Sequence, residues 1–160
     1  MKKIKNNKGF TLIEILVVIG IIAILAAIVL IAINPARQFR QANNSQRTAN
    51  VNAILNAIGQ YVVDNKGNIS NLDISTGADE IANGAVGDAD ICDDLVPTYI
   101  PALPTDPDSS EDGAGIDCSG TYSTEYEVEI DSDGRITVSA PLAVDVDSGA
   151  VDPNLISVTR

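Results

Sequence analysis

Hydrophobic and polar positions divide the chain into three regimes. From Phe10 to Ile33 nearly every position is apolar, and Glu14 is the only charge. About 24 helical residues reach roughly 36 Å, enough to cross a bilayer core of about 30 Å. From Ala36 to about Asn65 the pattern becomes periodic. Val51, Leu55, Ile58 and Val62 fall on one helical stripe, with Ile54 and Tyr61 beside it. The stretch Arg37 to Asn50 is polar on most sides, so the helix is expected to cross water there before burying its second half. Asn34-Pro35 between the two regimes predicts a kink or brief break. Asp64-Asn65-Lys66-Gly67 predicts the stop.

Residues 67–121 show no sustained period and are rich in Asp, Gly, Ser, Asn and Pro. Leu95 to Leu103 predicts a short turn-rich segment pinned by Pro97, Pro101 and Pro104. Tyr122 to Ile130 then alternates, with Tyr126, Val128 and Ile130 on one face and Glu125, Glu127 and Glu129 on the other. Asp131-Ser132-Asp133-Gly134 is a hairpin signal, and Arg135 to Ala140 reads as the return strand with Ile136 and Val138 facing in. Leu142 to Val146 and Leu155 to Val158 read as further short strands. The expected fold class is α+β: a long N-terminal helix, apolar and then amphipathic, laid on a small antiparallel sheet.

Glu14 is costly where it stands, since a carboxylate deep in hydrocarbon costs on the order of 2.5–3.5 kcal/mol and calls for a partner. Taken alone, it could equally lie near the helix start and reach the headgroups. Its surroundings say more. Lys2, Lys3, Lys5 and Lys8 precede the run, and the string KGFTLIEILVVIGIIAILAAIV from Lys8 to Val29 resembles the class III signal of type IV prepilins and pseudopilins. The resemblance implies cleavage by a prepilin peptidase after Gly9 and N-methylation of the new terminal residue, Phe10. It also implies that Glu14 pairs with the terminal amine of a neighbouring subunit. The physics fits, because the cut removes four lysines and creates an amine one helical turn before Glu14. A buried pair of this kind adds little net stability but specifies arrangement. The uncrowded backbone at Gly9 suits a protease.

Other readings of this end explain less. A secretory signal peptide has a shorter apolar core, of about 7–15 residues, and is cut after it. Ala26, Ala27 and Ala32 could mimic such a site, but the run is too long and Glu14 interrupts it. A plain signal anchor explains the span but not the Gly-Phe-Thr-Leu-Ile-Glu cluster. The four leader lysines favour a cytoplasmic N-terminus against the weaker opposition of Arg37 and Arg40. The expected organisation is a basic leader over 1–9, a membrane or filament-core helix over 10–33, an amphipathic stalk over 34–66 and an exported domain over 67–160. Within that domain the loop region spans 67–121 and the sheet 122–160.

Composition refines the picture. After the apolar run about 125 residues remain, enough for one small domain. With four Tyr, two Phe and no Trp, its core must be mostly aliphatic. The formal charge is −12, and loss of the four leader lysines takes the side chains to −16. Such a surface disfavours nucleic acid and anionic lipid as direct partners. Cys92 and Cys118 both fall in the expected exported part, where oxidation can join them. A bridge closing that loop would contribute roughly 3–4 kcal/mol by the chain-entropy model, whereas a reducing compartment would leave two thiols. With no His, the pair cannot make an ordinary zinc site. Type IV pilins often carry a disulfide-bounded region towards the C-terminus, and this pair resembles it.

Tyr99 to Pro107 is similar to the segment before the sheet in major secretion pseudopilins, which often carry a calcium loop nearby. Asp108-Ser109-Ser110-Glu111-Asp112-Gly113 offers oxygens at alternating positions before a glycine, as in the first half of an EF-hand loop, but Ser119 stands where a closing Glu belongs. Asp106, Asp108, Asp112 and Asp117 are the candidate calcium ligands, with Asp145 and Asp147 as further oxygens; ordinary acidic loops have the same composition. No Ser/His/Asp set or phosphate-binding glycine loop is present, and nothing argues for an enzyme. The reading is a subunit of a type IV pilus-like filament, in the inner membrane before assembly. Identical subunits, prepilin peptidase, an assembly ATPase and a platform membrane protein are the partners implied by the resemblance. The alternatives are the major pseudopilin of a type II secretion system and, from another class, a single-span anchored binding module that never polymerises.

Overall fold

A computed structural model describes residues 9–32, 34–109, 115, 116 and 118–160. It divides into two compact units, Met1–Ala36 and Arg37–Arg160. In the first unit the helix α1 spans Leu12–Ala32 and runs through Gly20 without a break. Its stretch Leu12–Leu30 is long and apolar enough to cross a membrane. Every large apolar side chain described there is half or more exposed. In lipid a helix satisfies its own backbone, so a sequence rich in β-branched Ile and Val still folds this way.

The helix α2 spans Pro35–Asp64. Pro35 stands at its first position, where a missing N–H costs nothing and the ring pre-sets φ. The break expected at Asn34-Pro35 falls between the end of α1 at Ala32 and the start of α2 at Pro35; Ile33 lies outside the described residues. At the far end Lys66 and Gly67 turn left-handed, at φ 58 and 83, and their N–H groups return to the Val63 and Val62 carbonyls. This is the glycine stop expected at Asp64–Gly67.

Four strands follow: β1 (Asp79–Ala82), β2 (Ser123–Ile130), β3 (Ile136–Ser139) and β4 (Ser157–Thr159), with a one-turn helix α3 (Cys92–Leu95) between β1 and β2. They form one antiparallel sheet in the order β1-β2-β3-β4. Tyr126 and Val128 of β2 and Ile136 and Val138 of β3 point inward as the alternation predicts. They share one hydrophobic cluster with Val51, Ile54, Leu55, Ile58 and Tyr61 of α2. The β2–β3 turn closes at Gly134, whose φ of 80 favours glycine. Cys92 and Cys118 form a disulfide across 26 sequence positions, tying α3 to the segment before β2.

Three expectations need correction. Residues 67–121 contain β1 and α3, which are too short for any period to register. Leu142–Val146 is not a strand; only Val144 forms an isolated bridge, to Val151. The first half of α2 is not surrounded by water. Arg47 is fully buried, and Asn44 and Asn50 are partly covered by two loops.

The outer face of the sheet collects acid. Glu80 and Glu127 are direct cross-strand partners, an arrangement in which like charges destabilise. The Ser123 hydroxyl donates to Glu80. Burial, then Glu80 and Glu129, push the Glu127 carboxyl above its ordinary pKa, partly offset by Ser139. Burial, Glu80 and Asp106 do the same to Glu125. A carboxyl raised in the folded state contributes stability that is complete below its unfolded pKa and lost as pH rises through the folded one. Partly exposed Asp131 and Asp145 are lowered, chiefly by the backbone N–H groups of Arg135 and Ser148, and act in the opposite sense. Their contribution disappears only below the usual aspartate range. Glu127→Gln is therefore expected to raise the melting temperature at neutral pH and to lose that advantage by about pH 4.5, as thermal melts across this range will show.

Candidate functional site: the N-terminal segment and the Arg47 node

The N-terminal segment is built by local capping. Gly9, Phe10 and Thr11 are non-helical, and Leu12 opens α1. Glu14 Oε2 accepts the Thr11 N–H at 2.7 Å and the Thr11 hydroxyl at 2.9 Å, while the Glu14 N–H donates to Thr11 Oγ1 at 3.2 Å. Thr11-Leu12-Ile13-Glu14 is thus a reciprocal capping box. Its signature, Thr followed three residues on by Glu before an apolar run, is legible in the sequence but was not among the expectations. It explains how Glu14 is accommodated, since its charge is held against the N-terminal dipole of its own helix. Gly9 and Phe10 lie just outside that cap, and Phe10 is strongly exposed. Residues 1–8 of the expected leader lie outside the described residues.

The second unit is organised by Arg47. Its Nε and Nη2 donate to the two oxygens of Asp106 at 2.6 and 2.8 Å, a bidentate pair with both side chains fully buried. Nη2 also donates to Asp108 Oδ2 at 2.7 Å, and Nη1 to Asn44 Oδ1 at 3.1 Å. Asn43 donates to the other Asp108 oxygen at 2.8 Å. Asn50 donates to the Tyr126 hydroxyl at 2.9 Å and the Thr105 carbonyl at 3.2 Å. Towards the start of α2, Arg37 pairs with Asp147, Arg40 donates to the Val146 carbonyl, and Asn44 to the Val144 carbonyl. Gly149 is required beside them, because a Cβ there would lie 2.7 Å from the Arg40 guanidinium at a φ of +74.

These polar residues recur at 37, 40, 44 and 47, on the stripe that continues apolar through 51, 55, 58 and 62. That shared phase was the available sign that the polar half of the helix is covered as well. The node bears directly on the calcium expectation. Asp106 and Asp108 already face a guanidinium, which does not fit a bound cation at those two carboxylates. Asp145 caps its own turn through Ser148 and Asp147 pairs with Arg37. Asp112 and Asp117 lie outside the described residues. Among the described residues no group of three or more His, Cys, Asp or Glu side chains is placed to hold a metal.

Comparison with known proteins agrees with this architecture. The family model for the prokaryotic N-terminal methylation motif matches residues 4–30. The fold is α+β, an N-terminal apolar helix and a small antiparallel sheet, and is consistent with a pilin-like one. The chain is similar to the type IV wide pilus major component PilA4 of Thermus thermophilus, with 45% identity over 67 residues, which is 42% of this chain and 50% of that protein. The chain therefore spans about half the length of the curated relative it matches. No solved structure matches.

Removing one side of a buried pair costs more than removing both, because it strands a charge. Arg47→Ala is expected to lose about 3–5 kcal/mol in urea unfolding of the full chain in detergent. Arg47→Met combined with Asp106→Leu should recover most of that loss.

Proposed function

We propose that the chain is the structural subunit of a type IV pilus-like filament. It is made as a single-span precursor with its leader in the cytoplasm, cut between Gly9 and Phe10 by a prepilin peptidase and methylated on the Phe10 amine. An ATPase and a platform membrane protein then assemble the apolar N-terminal segments of identical subunits, which carry α1, into a fibre core. The observation that carries this reading is α1, apolar and exposed on every side with one carboxylate at its start. A soluble domain does not leave such a surface uncovered. Thr11 takes Oε2 of Glu14, which leaves Oε1 to accept the terminal amine of a neighbour. That pair sets register, and the apolar side chains supply contact.

Glu14→Leu is expected to insert into the membrane at least as well as the wild type, because an acid is lost from hydrocarbon. It should nevertheless form few fibres. Normal fibre density by electron microscopy of sheared material would remove the register role from Glu14.

The pseudopilin of a secretion system is the second reading, favoured by the Pro104-Thr105-Asp106-Pro107 segment. Arg47 stands against it, since it serves as the cation of that same segment. On the pilus reading, chelation leaves the melting temperature unchanged. A rise on adding calcium favours the pseudopilin.

A further inference from the structure

Val86 is the most exposed large apolar side chain described, at 106%. It stands on a built loop. Asp88 accepts the Gly84 and Ala85 N–H groups at 2.8 and 2.5 Å, and the Asn83 side chain bridges the Tyr122 N–H and the Gly120 carbonyl. An apolar side chain held rigidly in water at a loop apex gives the isolated subunit nothing. A matching apolar groove of about 330 Å³ lies elsewhere on the same unit, lined by Leu55, Gly59, Val62, Ile69, Ile136 and Arg160.

The two features lie at opposite ends of β2. The loop leaves β1, one edge strand, beside the start of β2; Ile136 of β3, bonded to Arg160 just after the other edge strand β4, lies beside the end of β2. A contact between two different patches of one molecule is heterologous, and such contacts propagate into open helical fibres when the rotation does not close.

Charge selects the occupant. Mature chains at −16 repel one another, so contact between copies must bring the few cations against acid. Arg47 is neutralised inside the domain, Arg37 and Arg40 are occupied by the Val146–Asp147 loop, and Arg135 is paired with Asp131 and Asp133. Arg160 at the groove donates to the amide oxygen of Asn56, and exposed Lys66 adjoins the Gly67 end of the α2 stop. The Val86 loop carries Asp88 and Asp90, with Asp93 and Asp94 close behind in α3. We infer that Val86 of one copy inserts into the Leu55–Ile136–Arg160 groove of the next, as a lateral contact between the exported domains. The inference rests on the filament reading above and adds to the helical core a second, salt-sensitive register.

The test uses full-length chains in their own assembly system, with fibres sheared from cells. Val86→Leu should assemble like the wild type, and Val86→Asp should lower fibre yield about tenfold, because a carboxylate enters an apolar groove. Since Val86 is fully exposed, the melting temperature of the Val86→Asp subunit in detergent should not change. Val86→Cys combined with Gly59→Cys should give a ladder of covalent multimers on a non-reducing gel, absent from either single variant. Gly59 has open space for the new side chain. Wild-type yield from Val86→Asp, or double-cysteine fibres without a ladder, would overturn the contact alone. If the double variant makes no fibres, the Asp and Leu variants decide. A wild type that makes no fibres overturns the filament reading and this contact with it.

Discussion

A buried guanidinium must be neutralised, and the unit Arg37–Arg160 is arranged around doing so. Arg47 sits with no exposure on a helix stripe that continues apolar through Val51, Leu55 and Ile58, and Asp106 meets it through both oxygens. Asp106 can do so only because its segment is drawn across α2, and that draws in Thr105, Asp108 and Asn50. The disulfide at Cys92 and Cys118 closes the same segment at its ends, while Arg47 fixes it near the middle. Neither part would order this stretch alone: it is rich in Pro, Gly and Asp, which contribute little apolar burial. The pair's value is therefore specificity of arrangement more than net stability.

The first unit answers the same problem differently. Glu14 is a charge beside hydrocarbon, and within the chain it is met by a backbone N–H and a hydroxyl of Thr11 rather than by a cation. This local solution is sufficient for a lone helix at a membrane surface. It also leaves the carboxylate able to change partners, as the proposed function asks of it.

Much of this was legible in the sequence. The apolar span, the 51–55–58–62 stripe, the Glu-out alternation of β2 and the Asp-Gly hairpin all follow from period and turn chemistry, and the structure has them. What escaped has a common physical cause. β1 buries only Ile81 and Ala82, too few positions for alternation to register. The loop at Val144 is held by hydrogen bonds from Arg40 and Asn44, which leave no hydrophobic trace. Arg47 reads as solvent-facing until its partner, 59 positions away, is known. Polar contacts between distant segments carry no period, so the loops that cover the upper half of α2 could not be read from pattern alone. The Thr11–Glu14 cap is the exception: it is local, and its Thr-x-x-Glu spacing is visible in the sequence.

The central claim is that the functional molecule is a processed chain that begins at Phe10. Intact mass of the protein recovered from sheared surface material tests it most directly. The account predicts a single species lacking Met1–Gly9, carrying one added methyl group and lacking the two hydrogens of a Cys92–Cys118 bridge. A full-length mass retaining Met1, from material that is nonetheless polymeric, would contradict it.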